Sequence, residues 1–190
     1  MWLIATFPSR HYDIDNYPAI KKHLLSYGIE RLEQTGKKHL VNGIEVRARK
    51  KTNNKWFETQ DSINYWNEFF KQKIVYREIS DAMDACLVES DYMLNNKCYL
   101  ITGEHLIFIL SYLNSKLFAK IVLPQANVTG GKGEGFLSAI SLIQPLDDVE
   151  EACAHFYKLR QLGSDVDQEV DKLFCSLYGL SDEETQYILE

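Results

Sequence analysis

The stretch "RARKKTNNKWFETQ", residues 47–60, gathers Arg47, Arg49, Lys50, Lys51 and Lys55 into nine positions of a chain whose formal charge is −6 at pH 7. A Trp-Phe pair and Gln60 close the stretch. The contrast widens with the window. Residues 18–60 hold ten Lys or Arg against four Glu, whereas residues 146–190 hold three against twelve acidic residues. A basic lobe and an acidic tail on one chain point to a polyanion as the partner of the lobe. The plainer alternative is a solvated surface face, which needs no partner.

A chain of 190 residues suffices for one large domain or for one domain with an appendage. Hydrophobic residues make up 45% of it, enough for a packed core rather than a disordered chain. No apolar run approaches the roughly 18 residues of a membrane span. The greasiest segment, "HLIFILSYLNSKLFAKIVL", is broken by Ser, Asn and two Lys. The opening "MWLIATFPSRHYDID" lacks a basic leader and a small-residue cleavage site, so a cytoplasmic protein is expected. Cysteines 86, 98, 153 and 175 form no C-x-x-C pair and have no His at ligand spacing. They read as buried free thiols rather than zinc ligands.

The elements read as an α+β fold: a small mixed sheet flanked by helices, with a helical C-terminal subdomain. "MWLIATFP" is a candidate strand ended by Pro8. Residues 13–36 suggest a helix with Pro18 in its first turn, Ile20, Leu24 and Tyr27 inward, and Gly28 as an interruption. From Gly36 to Lys55 charge outweighs periodicity, which predicts a long loop with a short ribbon at "LVNGIEV". A helix is expected at "DSINYWNEFFKQ", capped by Asp61 or Ser62. Strands follow at "KIVYREI", "ACLVES" and "YMLNNKCYLIT", the last turning at Asn95-Asn96. "EHLIFILSYLNSKLFAKIV" is the most apolar helix, "NVTGGKGEG" a surface loop, and "FLSAISLIQPL" a strand. The acidic remainder reads as two or three helices. The domain division implied is 1–147 and 148–190.

The usual catalytic motifs are missing. The four prolines are not adjacent, so there is no Pro-Pro-aromatic loop to grip a target base. No Lys has an acidic residue two positions before it, as magnesium-dependent nucleases require. No glycine-rich cofactor turn follows the first strand, and "GGKGEG" lacks the order of a phosphate loop. No catalytic activity, metal or cofactor is expected of this chain by itself. Basic loop residues do make phosphate contacts, and Lys50, Lys51 and Lys55 fit that role. Arg47 and Arg49 can fork onto a guanine edge, and Asn53, Asn54 or Gln60 can pair with an adenine edge. Trp56 is either a core aromatic or a base contact, and the core is the simpler reading.

Three segments carry a resemblance: "FPSRHYDIDNYPAIKKHLLSYGIERLEQTG", "KWFETQDSINYWNEFFKQKIVYREIS" and "YLITGEHLIFILSYLNSKLFAKIV". In this order they resemble the TaqI-like C-terminal specificity domain of type II restriction–modification enzymes, including the type IIG group. The Lys-Trp-x-Glu-x-Gln block, the Lys-Ile-Val-Tyr strand and the Leu-Asn-Ser-Lys helix end are the most specific marks. "VDKLFCSLYGLSDEETQYILE" also looks like the closing segment of such proteins. Type I specificity subunits have similar recognition domains. Where the family commonly has Lys-Pro-Lys-Ile, this chain has Lys71-Gln72-Lys73-Ile74, and Arg77 stands where a Pro follows the Tyr.

The resemblance implies a division of labour. Upstream domains of the same polypeptide would bind S-adenosylmethionine, flip an adenine and methylate its N6, and in some proteins also cleave DNA. This chain would read the sequence of double-stranded DNA and clamp the duplex. The chain then looks like the C-terminal piece of a longer protein, with no membrane partner, and the acidic tail packs against the upstream domains or keeps DNA on the basic side. Lys73, Arg77 and Lys132 join the stretch at 47–60 as candidate DNA contacts. Base reading is expected from Arg47, Arg49, Gln60 and Arg77. A protein-interaction module with an acidic partner is the competing function.

Overall fold

The computed structural model of the chain describes residues 3–61, 63–77, 83–95, 97–125 and 143–190. It parts into two compact units, Met1–Tyr65 and Trp66–Glu190.

Glycine sets the course of the first unit. Pro18, its φ already helical, opens α1 (Pro18–Leu25). Gly28 then takes φ +88°, the expected interruption, and α2 (Ile29–Leu32) starts after it. Tyr27 lies exposed rather than inward. The predicted ribbon forms as an antiparallel pair, β1 (Lys38–Val41) and β2 (Ile44–Arg47). Its turn is Asn42-Gly43, both with positive φ (50° and 79°), the type I′ geometry whose twist matches a two-residue hairpin. The N-terminal strand is not formed among the described residues. Residues 3–7 run without regular structure, and a 3₁₀ turn follows at Pro8–Arg10. Thr6 nonetheless holds the segment in place, accepting from Thr59 N at 3.0 Å and donating to the Phe57 carbonyl at 2.7 Å.

The second unit is built on β3 (Lys73–Arg77), whose first four residues are all buried. It is the middle strand of an antiparallel sheet, with β4 (Cys86–Val88) on one side and β5 (Cys98–Ile101) on the other. The fold is thus α+β as expected, but both described sheets are antiparallel rather than mixed. Tyr76 and Tyr99 are register partners, and their rings stack at 5.4 Å. Burial pushes the Tyr76 phenol up to about 12. The helix expected over residues 61–72 shrinks to a 3₁₀ turn at Trp66–Phe70. Ser62, the Asn96 half of the expected turn and most of the expected strand at 136–146 lie outside the described residues.

Helix α3 (Leu106–Leu113) puts Leu106, Phe108, Leu110, Tyr112 and Leu113 into the core of the second unit. Three helices follow in the acidic region: α4 (Asp147–Gln161), α5 (Asp167–Leu177) and α6 (Asp182–Leu189). Ser181 and Glu184 form a capping box at the start of α6, and the hydrogen bonds from Ser181 hold the Glu184 carboxyl below its usual range. The inner faces of these helices, through Val149, Cys153, Val170, Phe174 and Ile188, share one core with Ile74 and α3. The compact units therefore do not part after residue 147, where the sequence suggested a boundary. Burial of apolar stripes on α4–α6 against α3 makes them one body with the sheet, and most of their acidic side chains stay exposed. Among the cysteines, Cys153 and Cys175 are buried as expected, whereas Cys86 is exposed. Among the described residues, no helix is long and apolar enough to cross a membrane.

Candidate nucleic-acid interface

The basic stretch is not a loose loop. Its chain runs from the end of β2 back over the end of α2, and nearly every turn is pinned by a backbone or side-chain hydrogen bond. Arg49 N donates to the Glu33 carbonyl and Gly36 N donates to the Arg49 carbonyl, at 2.9 and 2.8 Å. The Arg49 guanidinium then donates to three carbonyls: Leu32 from Nε at 2.8 Å, Glu58 from Nη1 at 2.9 Å, and Trp56 from Nη2. Burial lowers its pKa from the ordinary arginine value. A planar fork of five N–H donors suits this task, since it reaches carbonyls on separate segments at once.

Gln34, only 5% exposed, forms the second brace. Its amide nitrogen donates to the Lys55 and Glu58 carbonyls, at 2.9 and 2.8 Å, and its amide oxygen accepts from Thr52 Oγ1 at 2.6 Å. Asn54 donates to the carbonyls of Thr59 and Gln60. Glu58, itself buried, accepts from the Lys55 backbone N–H at 2.7 Å. Within the Lys-Trp-x-Glu-x-Gln block the Glu58 carboxylate closes the turn on Lys55 N, and the carbonyls of the block are satisfied from outside it by Gln34, Arg49 and Asn54.

The brace decides which charges face outward. Lys50 and Lys51 are exposed, and so is Arg47 at the end of β2. Lys55 is exposed too, with its Nζ 3.4 Å from the Tyr12 carbonyl and 5.6 Å from the centre of the Phe57 ring. Gln60 is half-buried and donates weakly, at 3.4 Å, to the Lys50 carbonyl. Trp56 is half-buried and packs edge-on against buried Phe57, so it sits at the margin of the core. Asn53 is exposed.

Other expected contacts lie elsewhere or are already engaged. Arg49 keeps its guanidinium inside the turn, which removes it from the outward-facing set. Lys73 is fully buried, and its Nζ donates to the Phe69, Lys71 and Glu89 carbonyls at 2.9, 2.8 and 3.2 Å. It offers no surface to a phosphate; it closes the turn that leads into β3. Arg77 belongs to the second unit, is exposed and is ion-paired with Asp84. Lys132 lies outside the described residues. The sequence reading did not single out Gln34. A lone glutamine carries no local signal, because its partners are 18 to 24 residues away.

Among the described residues, no group of three or more His, Cys, Asp or Glu could hold a metal ion. The site's chemistry is charge and hydrogen bonding.

No curated protein and no solved structure matches the chain. The model of the TaqI-like C-terminal specificity domain family matches residues 20–129, which takes in most of α1 and all of α2, the ribbon, the braced turn, the three-stranded sheet and α3. Helices α4–α6 lie beyond the matched residues, so the likeness noted for residues 170–190 has no counterpart in the match. With more than half its length matched, and with a rigid turn that holds arginine and lysine outward, the chain belongs to the TaqI-like C-terminal specificity domain family, among the DNA-recognition domains of restriction–modification systems.

Proposed function

We propose that this chain reads a DNA sequence on behalf of a site-specific adenine-N6 methyltransferase of a type II restriction–modification system. The observation that carries the reading is the braced turn within the matched segment. Arg49, Gln34 and Glu58 fix its backbone, and Arg47, Lys50, Lys51 and Lys55 are presented to solvent. Lys50, Lys51 and Lys55 contact phosphates and set the position of the turn. Arg47 makes the paired contacts to a guanine edge, and Gln60 tests an adenine once it releases its long bond to Lys50. In the second unit, taken by itself, Arg77 contacts DNA by exchanging its ion pair with Asp84 for a phosphate. In this reading a methyltransferase domain of the parent polypeptide binds S-adenosylmethionine and carries out transfer. Some parents of this type also cleave.

A salt titration tests the DNA-binding half of the reading. The purified chain is titrated with a labelled random-sequence duplex at several salt concentrations. The expected result is binding whose log affinity falls linearly with log salt, with a slope near −0.9 per phosphate contacted. No binding even at roughly 50 mM salt would leave the basic turn as a solvated surface and support the protein-interaction alternative.

A further inference from the structure

We propose that the ribbon Lys38–Arg47 enters the major groove of DNA, with Leu40 and Ile44 meeting thymine methyl groups there. The inference rests on the DNA-reading function proposed above and assigns it an element and a base preference. Four observations carry it. The ribbon is two strands joined by a type I′ turn, and the major groove admits a two-stranded ribbon. Four residues per strand at about 3.3 Å each give a length of roughly 13 Å, against a groove depth of about 8.5 Å. The tip can therefore reach base edges while the root stays level with the phosphates.

The charges sit at that root. Lys38 and Arg47 are direct cross-strand partners, a like-charge pairing that the ion pair of Lys38 with Glu45 offsets only in part. Lys37 precedes them in the chain. A phosphate between the two side chains turns this repulsion into attraction. The one acidic residue of the ribbon, Glu45, is held by Lys38 at 2.9 Å and so does not confront the DNA alone.

The tip, by contrast, is aliphatic. Leu40 is 78% exposed and Ile44 68% exposed, on either side of Asn42-Gly43. Leu40 shares its face with its partner Glu45, whereas Ile44, the partner of Val41, stands on the other face with His39 and Val46; there His39, Val41 and Val46 are half-buried, Ile44 at the tip is not, and His39 lies 3.5 Å from Glu33 near the end of α2. The ribbon is thus held at its root, and at its tip one exposed aliphatic side chain stands on each face. Single exposed aliphatics are ordinary on a surface. Two on one rigid turn, above a cationic root, form an apolar point with a charged collar, and thymine's C5 methyl is the apolar feature of the major groove.

The test uses the whole chain and a duplex selected from a random library by that chain. Each thymine of the selected duplex is then replaced by deoxyuridine, which lacks only the methyl group. At one or more positions the wild-type chain should bind about 4-fold more weakly, the worth of one buried methyl group. The double variant L40A/I44A should bind the selected duplex less tightly and show no response to the replacement. Both positions are exposed, and an unchanged thermal melt confirms the fold. If selection enriches nothing, the DNA-reading function itself fails. If selection succeeds but no replacement weakens wild-type binding, or the double variant responds as the wild type does, the ribbon inference alone is overturned. Loss of self-association in the double variant, with the thymine response unchanged, would likewise overturn it and make the tip a contact between copies.

Discussion

Arg49 and Glu58 brace the same turn: Arg49 Nη1 donates to the Glu58 carbonyl at 2.9 Å, while the Glu58 carboxylate caps the Lys55 backbone N–H at 2.7 Å. One residue closes the turn from the β2 side and the other from within. The pair explains why a run that looks like a charged loop behaves as a rigid platform.

Arg49→Lys tests that role. A lysine retains the charge but reaches one carbonyl at a time. The expected loss is about 2–4 kcal/mol of stability, since partly buried carbonyls lose their donors. DNA binding should weaken for all sequences alike. A denaturant titration followed by tryptophan fluorescence measures the first effect. An R49K variant as stable as wild type would mean that the three carbonyl bonds are dispensable.

Lys50→Ala and Lys51→Ala address the exposed charges. Each should weaken binding to every duplex by a similar factor and reduce the salt slope by about one unit, with thermal stability unaltered. An unaltered slope would mark these side chains as solvated.

Lys73→Met makes the opposite prediction. Methionine fills the buried space but leaves the Phe69, Lys71 and Glu89 carbonyls without their donor. Stability should fall by about 1–3 kcal/mol while the salt slope for DNA stays at the wild-type value. A reduced slope with normal stability would return Lys73 to the DNA-contacting set.

Asp171 gives the second unit a pH signature. It is buried in α5, its Oδ1 accepts from Lys116 N at 2.7 Å, and burial raises its carboxyl pKa although the contacts with Lys116 and Arg160 oppose this. The folded state thus holds the proton more tightly than the unfolded one. Its contribution to stability is fully present below the ordinary Asp range and is lost as pH rises through the raised folded value. Asp171→Asn keeps the acceptor and removes the charge. The melting temperature of D171N relative to wild type should therefore rise with pH and then level off. D171A, which loses the acceptor, should be less stable by about 1–3 kcal/mol throughout. A D171N difference that does not vary with pH would show that the carboxyl titrates alike in both states.

The sequence announced the parts that depend on local rules. The short ribbon at residues 40–46, the interruption at Gly28, the apolar helix that contains α3 and the helices of the acidic remainder were legible in the sequence. It could not separate Arg47 from Arg49. The two lie two residues apart with the same chemistry, and their fates differ because the carbonyls of Leu32, Trp56 and Glu58 converge on one of them only. Lys73 misled for the same reason: a lysine opening a strand reads as exposed unless the carbonyls that bury it are known. The expected helix at residues 61–72 failed at its aromatic stretch. Trp66, Phe69 and Phe70 pack on one another within a single 3₁₀ turn, and α-helical spacing is not needed for that contact. The division after residue 147 rested on a change of charge. Surface charge says nothing about Val149, Phe174 and Ile188, which join the core of α3.

The central claim, that this chain reads DNA sequence, is tested most directly by selecting duplexes from a random library with the purified chain and repeating the selection with Arg47→Ala. The account predicts that the wild type enriches one defined sequence containing a guanine, and that R47A loses preference at that guanine, worth roughly 1–3 kcal/mol, while retaining its affinity for random duplex. Recovery of no preferred sequence by the wild-type chain would contradict it.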